Sequence, residues 1–121
     1  MALAVCAGAV RAGEEPVLRG PRTVALGSVV RFHAVGLRPG SMLAVVLTPA
    51  DRASCCAIRI PSSFPVSQGG TATLTFRMPR YYLNCPAWHK CRKIRWTARE
   101  RVVVSVFGYL QQVTTTTLVA Q

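Results

Sequence analysis

The stretch Thr71 to Met78, TATLTFRM, alternates apolar and polar side chains without a break. Ala72, Leu74, Phe76 and Met78 fall on one side, and Thr71, Thr73, Thr75 and Arg77 on the other. A period of two is the spacing of a pleated strand with one buried face, and it is incompatible with a helix of 3.6 residues per turn. The pattern recurs elsewhere. Ser28 to Val35 sets Val30, Phe32 and Ala34 against Arg31 and His33, while Cys55 to Ile60 places Cys56, Ile58 and Ile60 on one face. Met42 to Thr48 is almost continuously apolar, as a central strand would be. Arg101 to Phe107 and Gln112 to Val119 are expected to form a closing hairpin across Gly108 and Tyr109. Val17 to Leu26 is an opening strand broken at Gly20-Pro21, and no long helical period appears.

Glycine and proline separate these runs. Gly36-Leu37-Arg38-Pro39-Gly40 has the residues of a tight turn, and Pro61 to Gly70 reads as a loop. A chain of 121 residues has room for one domain. The expected architecture is therefore all-β: a single antiparallel sandwich of about seven strands, with a tied loop from Tyr81 to Trp96 that re-enters the sheet near Ile94. Charged residues make up only 16%, which argues against disorder.

The order of a strand, the Gly36–Gly40 turn, an apolar strand, and then Gly69-Gly70 leading into Thr71–Phe76 resembles bacterial secreted immunoglobulin-like modules. Such modules are common in exported and surface proteins of GC-rich actinobacteria. The resemblance spans residues 16–120. It implies an immunoglobulin-like sandwich with an extracytoplasmic role and transfers no functional residue. Cys55-Cys56 and the Cys85–Cys91 loop depart from the general pattern of these modules.

The amino terminus, MALAVCAGAVRAGEEP, opens with an apolar run from Ala2 to Val10. It is too short to span a bilayer, which takes about 20 residues. It fits the apolar part of a secretory signal, with Val10-Arg11-Ala12 as a small-x-small cleavage site before Gly13. The division expected is thus 1–12 as a signal remnant and 13–121 as the domain. A basic leader is missing, so the true start could lie upstream. A buried first strand and a lipid anchor at Cys6 are the lesser alternatives.

Removal of the leader leaves four cysteines, Cys55, Cys56, Cys85 and Cys91. An even number in a small exported domain reads as a disulfide framework. Neighbouring strand residues point to opposite faces, which favours cross-pairing: Cys55 with Cys85 and Cys56 with Cys91, narrowly ahead of the swapped version. A Cys55–Cys56 bond would need an eight-membered ring. Connectivity stays open at this level. The competing metal reading adds His89 to the four thiols, but adjacent cysteines lack the C-x2-4-C spacing of a zinc knuckle. No metal or cofactor is expected.

Fifteen Lys and Arg stand against Glu14, Glu15, Asp51 and Glu100. Most of the arginines are scattered, as a GC-rich genome would write them. Only the segment 80–101 is dense, and there Arg80, Lys90, Arg92, Lys93 and Arg95 stand among Tyr81, Tyr82, Trp88 and Trp96. Cations beside flat aromatic faces can hold an acidic glycan, an envelope polymer or single-stranded nucleic acid. Alternatively, the aromatics plug the loop onto the core and the cations merely solvate it. Catalysis is not expected: the acids are isolated, His33 and His89 have no evident partners, and nucleotide-binding or nucleophile motifs are absent. The functional expectation is an exported, non-catalytic structural or interaction module of the cell surface, with a protein or envelope polymer as its partner. A basic polyanion-binding domain is the alternative.

Overall fold

The computed structural model describes residues 15–87 and 90–120. The expected leader and cleavage site, Cys6, Trp88 and His89 lie outside the described residues. Among the described residues eleven strands run in chain order: β1 (Val17–Arg19), β2 (Thr23–Val24), β3 (Val29–Val35), β4 (Met42–Pro49), β5 (Cys56–Arg59), β6 (Phe64–Pro65), β7 (Ala72–Arg77), β8 (Tyr81–Ala87), β9 (Lys90–Arg95), β10 (Arg101–Gly108) and β11 (Gln111–Val119). Among the described residues the only helical element is a short 3-10 turn, Ala50–Arg52. No helix there is long and apolar enough to cross a membrane.

Two sheets result. The smaller has the order β1-β3-β7, and the larger runs β2-β11-β10-β4-β5-β8-β9 with β6 added alongside β4. The break at Gly20-Pro21 has a topological purpose: β1 pairs with β3 in the small sheet, whereas β2 crosses to the large one and pairs with β11. That last pairing is parallel, so the arrangement is not the wholly antiparallel one expected. The strand number also exceeds about seven, because β1, β2 and β6 are only two or three residues long and the 81–96 segment supplies two further strands.

The alternation seen in the sequence directs the packing. Val30, Phe32 and Ala34 from β3 and Ala72, Leu74 and Phe76 from β7 are buried. They meet Leu43, Val45 and Leu47 of β4 and Val102, Val104 and Val106 of β10 in one continuous cluster. Phe32 and Phe76 stack with ring centroids 5.9 Å apart and planes within 7°. Each fully buried aliphatic or aromatic side chain contributes on the order of 1.5–3 kcal/mol.

Candidate functional site

The segment expected as a loop is a hairpin, β8–β9, at one edge of the large sheet. It was expected as a tied loop that re-enters the sheet near Ile94. The cations lie on β9, the edge strand, where charge blocks unwanted pairing, while Pro86 lies in β8 at the register irregularity between Asn84 and Ala87. Tyr82 lies opposite Ile94 on the inward face. Tyr82 and Trp96 are almost fully buried, at 1% and 2% exposure, with ring centroids 4.7 Å apart and planes tilted by 57°. These two rings root the hairpin in the core. Trp96 Nε1 is buried with no hydrogen-bond partner among the described residues.

The outward face is different. Tyr81 lies opposite Arg95, and Leu83 opposite Lys93. Lys93 Nζ sits 4.7 Å from the centre of the Tyr81 ring, a cation–π distance. Leu83 also lies opposite Ala57 of β5, which puts Arg59, two residues along on the Ala57 face, on the same side. Sequence reasoning missed Arg59, because only the β5–β8 pairing places it beside the hairpin. The signal available was that Arg59 alternates away from Ile58 and Ile60.

The five cations singled out from sequence are thus divided. Lys93 and Arg95 share the outward face. Arg92 lies opposite Asn84 on the other face, and Lys90 opposite Ala87 beyond an irregularity in the register. Arg80 is drawn away entirely: its guanidinium fills the space that a Cβ on Gly27 would take, and Gly27 itself has a φ of 79°. Next to it Arg77 donates a hydrogen bond of 2.6 Å to the Gly27 carbonyl.

Asp51 and Glu100 lie elsewhere. Asp51 faces Arg101 at 3.5 Å in an exposed pair, which contributes little. Glu100 accepts from the Thr97 amide at 3.0 Å. Among the described residues Arg101–Asp51 is the single ion pair, so Arg59, Lys93 and Arg95 have no carboxylate within ion-pair distance. His33 is exposed on β3, with Nδ1 3.4 Å from Thr73 Oγ1. No three His, Cys, Asp or Glu side chains among the described residues converge as metal ligands.

All four domain cysteines are bonded, but not across β5 and β8. Cys55 is joined to Cys56 and Cys85 to Cys91. Cross-pairing assumed that Cys55 and Cys56 both obey strand alternation. Cys55 instead sits in the turn before β5, its amide donating to the Arg52 carbonyl at 3.3 Å, so alternation does not separate the two sulfurs. Cys85 and Cys91 follow from the hairpin: Asn84 lies opposite Arg92, which brings the next pair face to face with a Cα–Cα distance of 4.1 Å. Neither bond staples the hairpin to β5; backbone pairing and the two buried rings do that. The Cys85–Cys91 bond closes a short loop, which is worth only about 2 kcal/mol in the chain-entropy model. Stable disulfides are features of oxidising compartments.

No family model matches the chain, and no curated protein matches it. Among solved structures it is similar to macromomycin, with a TM-score of 0.66 and 12% identity over 87% of this chain and 99% of that one. At that identity the likeness is one of fold. Two more distant similarities carry no argument. The superoxide reductase (neelaredoxin) from Ignicoccus hospitalis has a TM-score of 0.46 and 9% identity over 88% of this chain and 80% of its own. The sulfur carrier protein SoxY from Chlorobium limicola f thiosulfatophilum has a TM-score of 0.40 and 17% identity over 90% and 76%.

Proposed function

We propose that this chain is an exported, non-catalytic interaction module, built as an immunoglobulin-like sandwich, that holds an acidic polymer against the outward face of β5, β8 and β9. One observation carries the reading: Arg59, Lys93 and Arg95 share that face with Tyr81 and have no carboxylate within ion-pair distance among the described residues. The formal net charge of +11 would draw polyanions towards the whole surface. The outward cations and the Tyr81 ring then offer a defined grip. Two disulfides and the leader-like amino terminus support a place outside the cytoplasm, in secreted form or at the cell surface. An envelope role without polymer binding is the second reading, supported by the shortage of acid–base groups.

Retention on heparin and on phosphocellulose across a salt series tests the proposal. Binding is expected at low salt, with a steep logarithmic decline. Replacing Arg59, Lys93 and Arg95 with glutamine removes three contacts and should lower the salt slope by about 2–3 units, at roughly 0.7–0.9 per phosphate contact. Replacing Arg80, Lys90 and Arg92 removes the same charge from other positions and should change the slope much less. Equal losses in the two triple variants would mean that charge acts without regard to face. No retention at low salt would leave the second reading.

A further inference from the structure

The hydrogen bonding at the start of β5 also brings three cysteines into neighbouring backbone positions. Cys56 lies opposite Asn84, and the Cys85 amide donates to the Cys55 carbonyl at 3.3 Å, so Cys55, in the turn just before β5, is the backbone neighbour of Cys85 on β8. Cys85 in turn lies beside Cys91 across β8 and β9. Because the strand order is β5-β8-β9, Cys85 stands between the other two. Disulfide exchange proceeds by attack of a thiolate on one sulfur of a disulfide, with the far sulfur leaving along the same line. Cys55 as attacker, Cys85 as the sulfur attacked and Cys91 as leaving group would follow the order of these backbone positions.

Access and charge agree with the arrangement. Cys55 and Cys91 are exposed, whereas Cys56, the other half of the vicinal pair, is only 3% exposed. Lys90 and Arg92 flank Cys91 in the chain, and neighbouring cations stabilise a thiolate. The vicinal bond closes no loop beyond its own two residues, so it adds little to the chain-entropy stabilisation of the fold. Opening it leaves the strands paired.

We infer that Cys55, Cys85 and Cys91 form a thiol–disulfide exchange site that accepts an electron pair from an external dithiol. One thiolate of the dithiol attacks Cys55 Sγ, and Cys56 departs as thiolate and takes up a proton. The second thiol of the donor attacks its own sulfur in the mixed disulfide, so the donor leaves as a cyclic disulfide and Cys55 as thiolate. Cys55 then attacks Cys85 Sγ, forming Cys55–Cys85 and releasing Cys91 as thiolate. The donor has lost two electrons and two protons. The protein has gained them, ending with one disulfide and two thiols.

The test uses a Cys6→Ser background, so that the fifth cysteine takes no part. Protein treated with one equivalent of dithiothreitol at pH 8 is quenched in acid, alkylated and mapped by peptide mass spectrometry. The expected result is a singly bridged population containing Cys55–Cys85, with Cys56 and Cys91 alkylated. A singly bridged population holding only Cys55–Cys56 or only Cys85–Cys91 would overturn the inference. A Cys56→Ala variant provides an independent readout without added reductant. The lone Cys55 thiol should pass in part to Cys91, increasingly so as pH rises, while circular dichroism stays unchanged. Quantitative alkylation at Cys55 with Cys85–Cys91 intact at every pH, in folded protein, would also overturn it.

Discussion

Replacing Trp96 with alanine is expected to destabilise the protein by about 3–5 kcal/mol, the range for truncating a buried large aromatic side chain. For a domain of this size that corresponds to a melting temperature lower by roughly 12–20 °C. Trp96 is 2% exposed and packs on Tyr82, so truncation would open a cavity where the β8–β9 hairpin enters the core. Trp96→Phe should cost much less. It keeps most of the ring packing and removes Nε1, a buried donor that has no partner among the described residues, and leaving such a group unpaired costs about 1–3 kcal/mol. Calorimetry of the two variants checks this. Equal losses would mean that the indole nitrogen is satisfied by water, or that the six-membered ring does not hold the contact.

The second large effect is expected at Gly20. A Cβ there would overlap the ring of Phe32, which is 1% exposed and stacked on Phe76. Gly20→Ala must therefore tilt the ring off its partner or lift β1 away from β3, at a cost of about 1–3 kcal/mol for overpacking. Gly20→Val should lie at the top of that range. Phe32→Leu vacates the space, so the double variant Gly20→Ala/Phe32→Leu should be more stable than the sum of the two single losses predicts. Denaturant titrations of all four proteins measure that coupling. Strict additivity would show that the ring is not what excludes the methyl group.

Both effects concern places where a short local pattern meets a distant partner, and the same division runs through the rest of the molecule. The alternation in Thr71–Met78 and in Ser28–Val35 named the buried residues of β7 and β3, because side-chain direction in a strand is a property of the strand itself. The Gly20-Pro21 break and the Gly36–Gly40 turn were equally plain. The β8–β9 hairpin was not. Its exposed face carries Lys93 and Arg95, and its place at the sheet edge relaxes the hydrophobic pattern that marks an interior strand. The candidate site was half visible. Lys93 and Arg95 were in the cationic cluster, but Arg80 belonged at Gly27, and Arg59 came from another strand.

The cysteines mark the boundary between the two kinds of information. Their number and the short β-rich chain already called for disulfides. Which sulfurs meet depended on Cys55 lying in a turn and on β8 pairing with β9 as well as with β5. A period of two, a glycine at positive φ and a count of cations are local, and the chain carries them wherever it goes. The neighbour of each strand is chosen by the packing of the whole core. That choice puts Arg59 on the same face as Lys93 and Arg95 and sets Cys85 between Cys55 and Cys91 in the backbone.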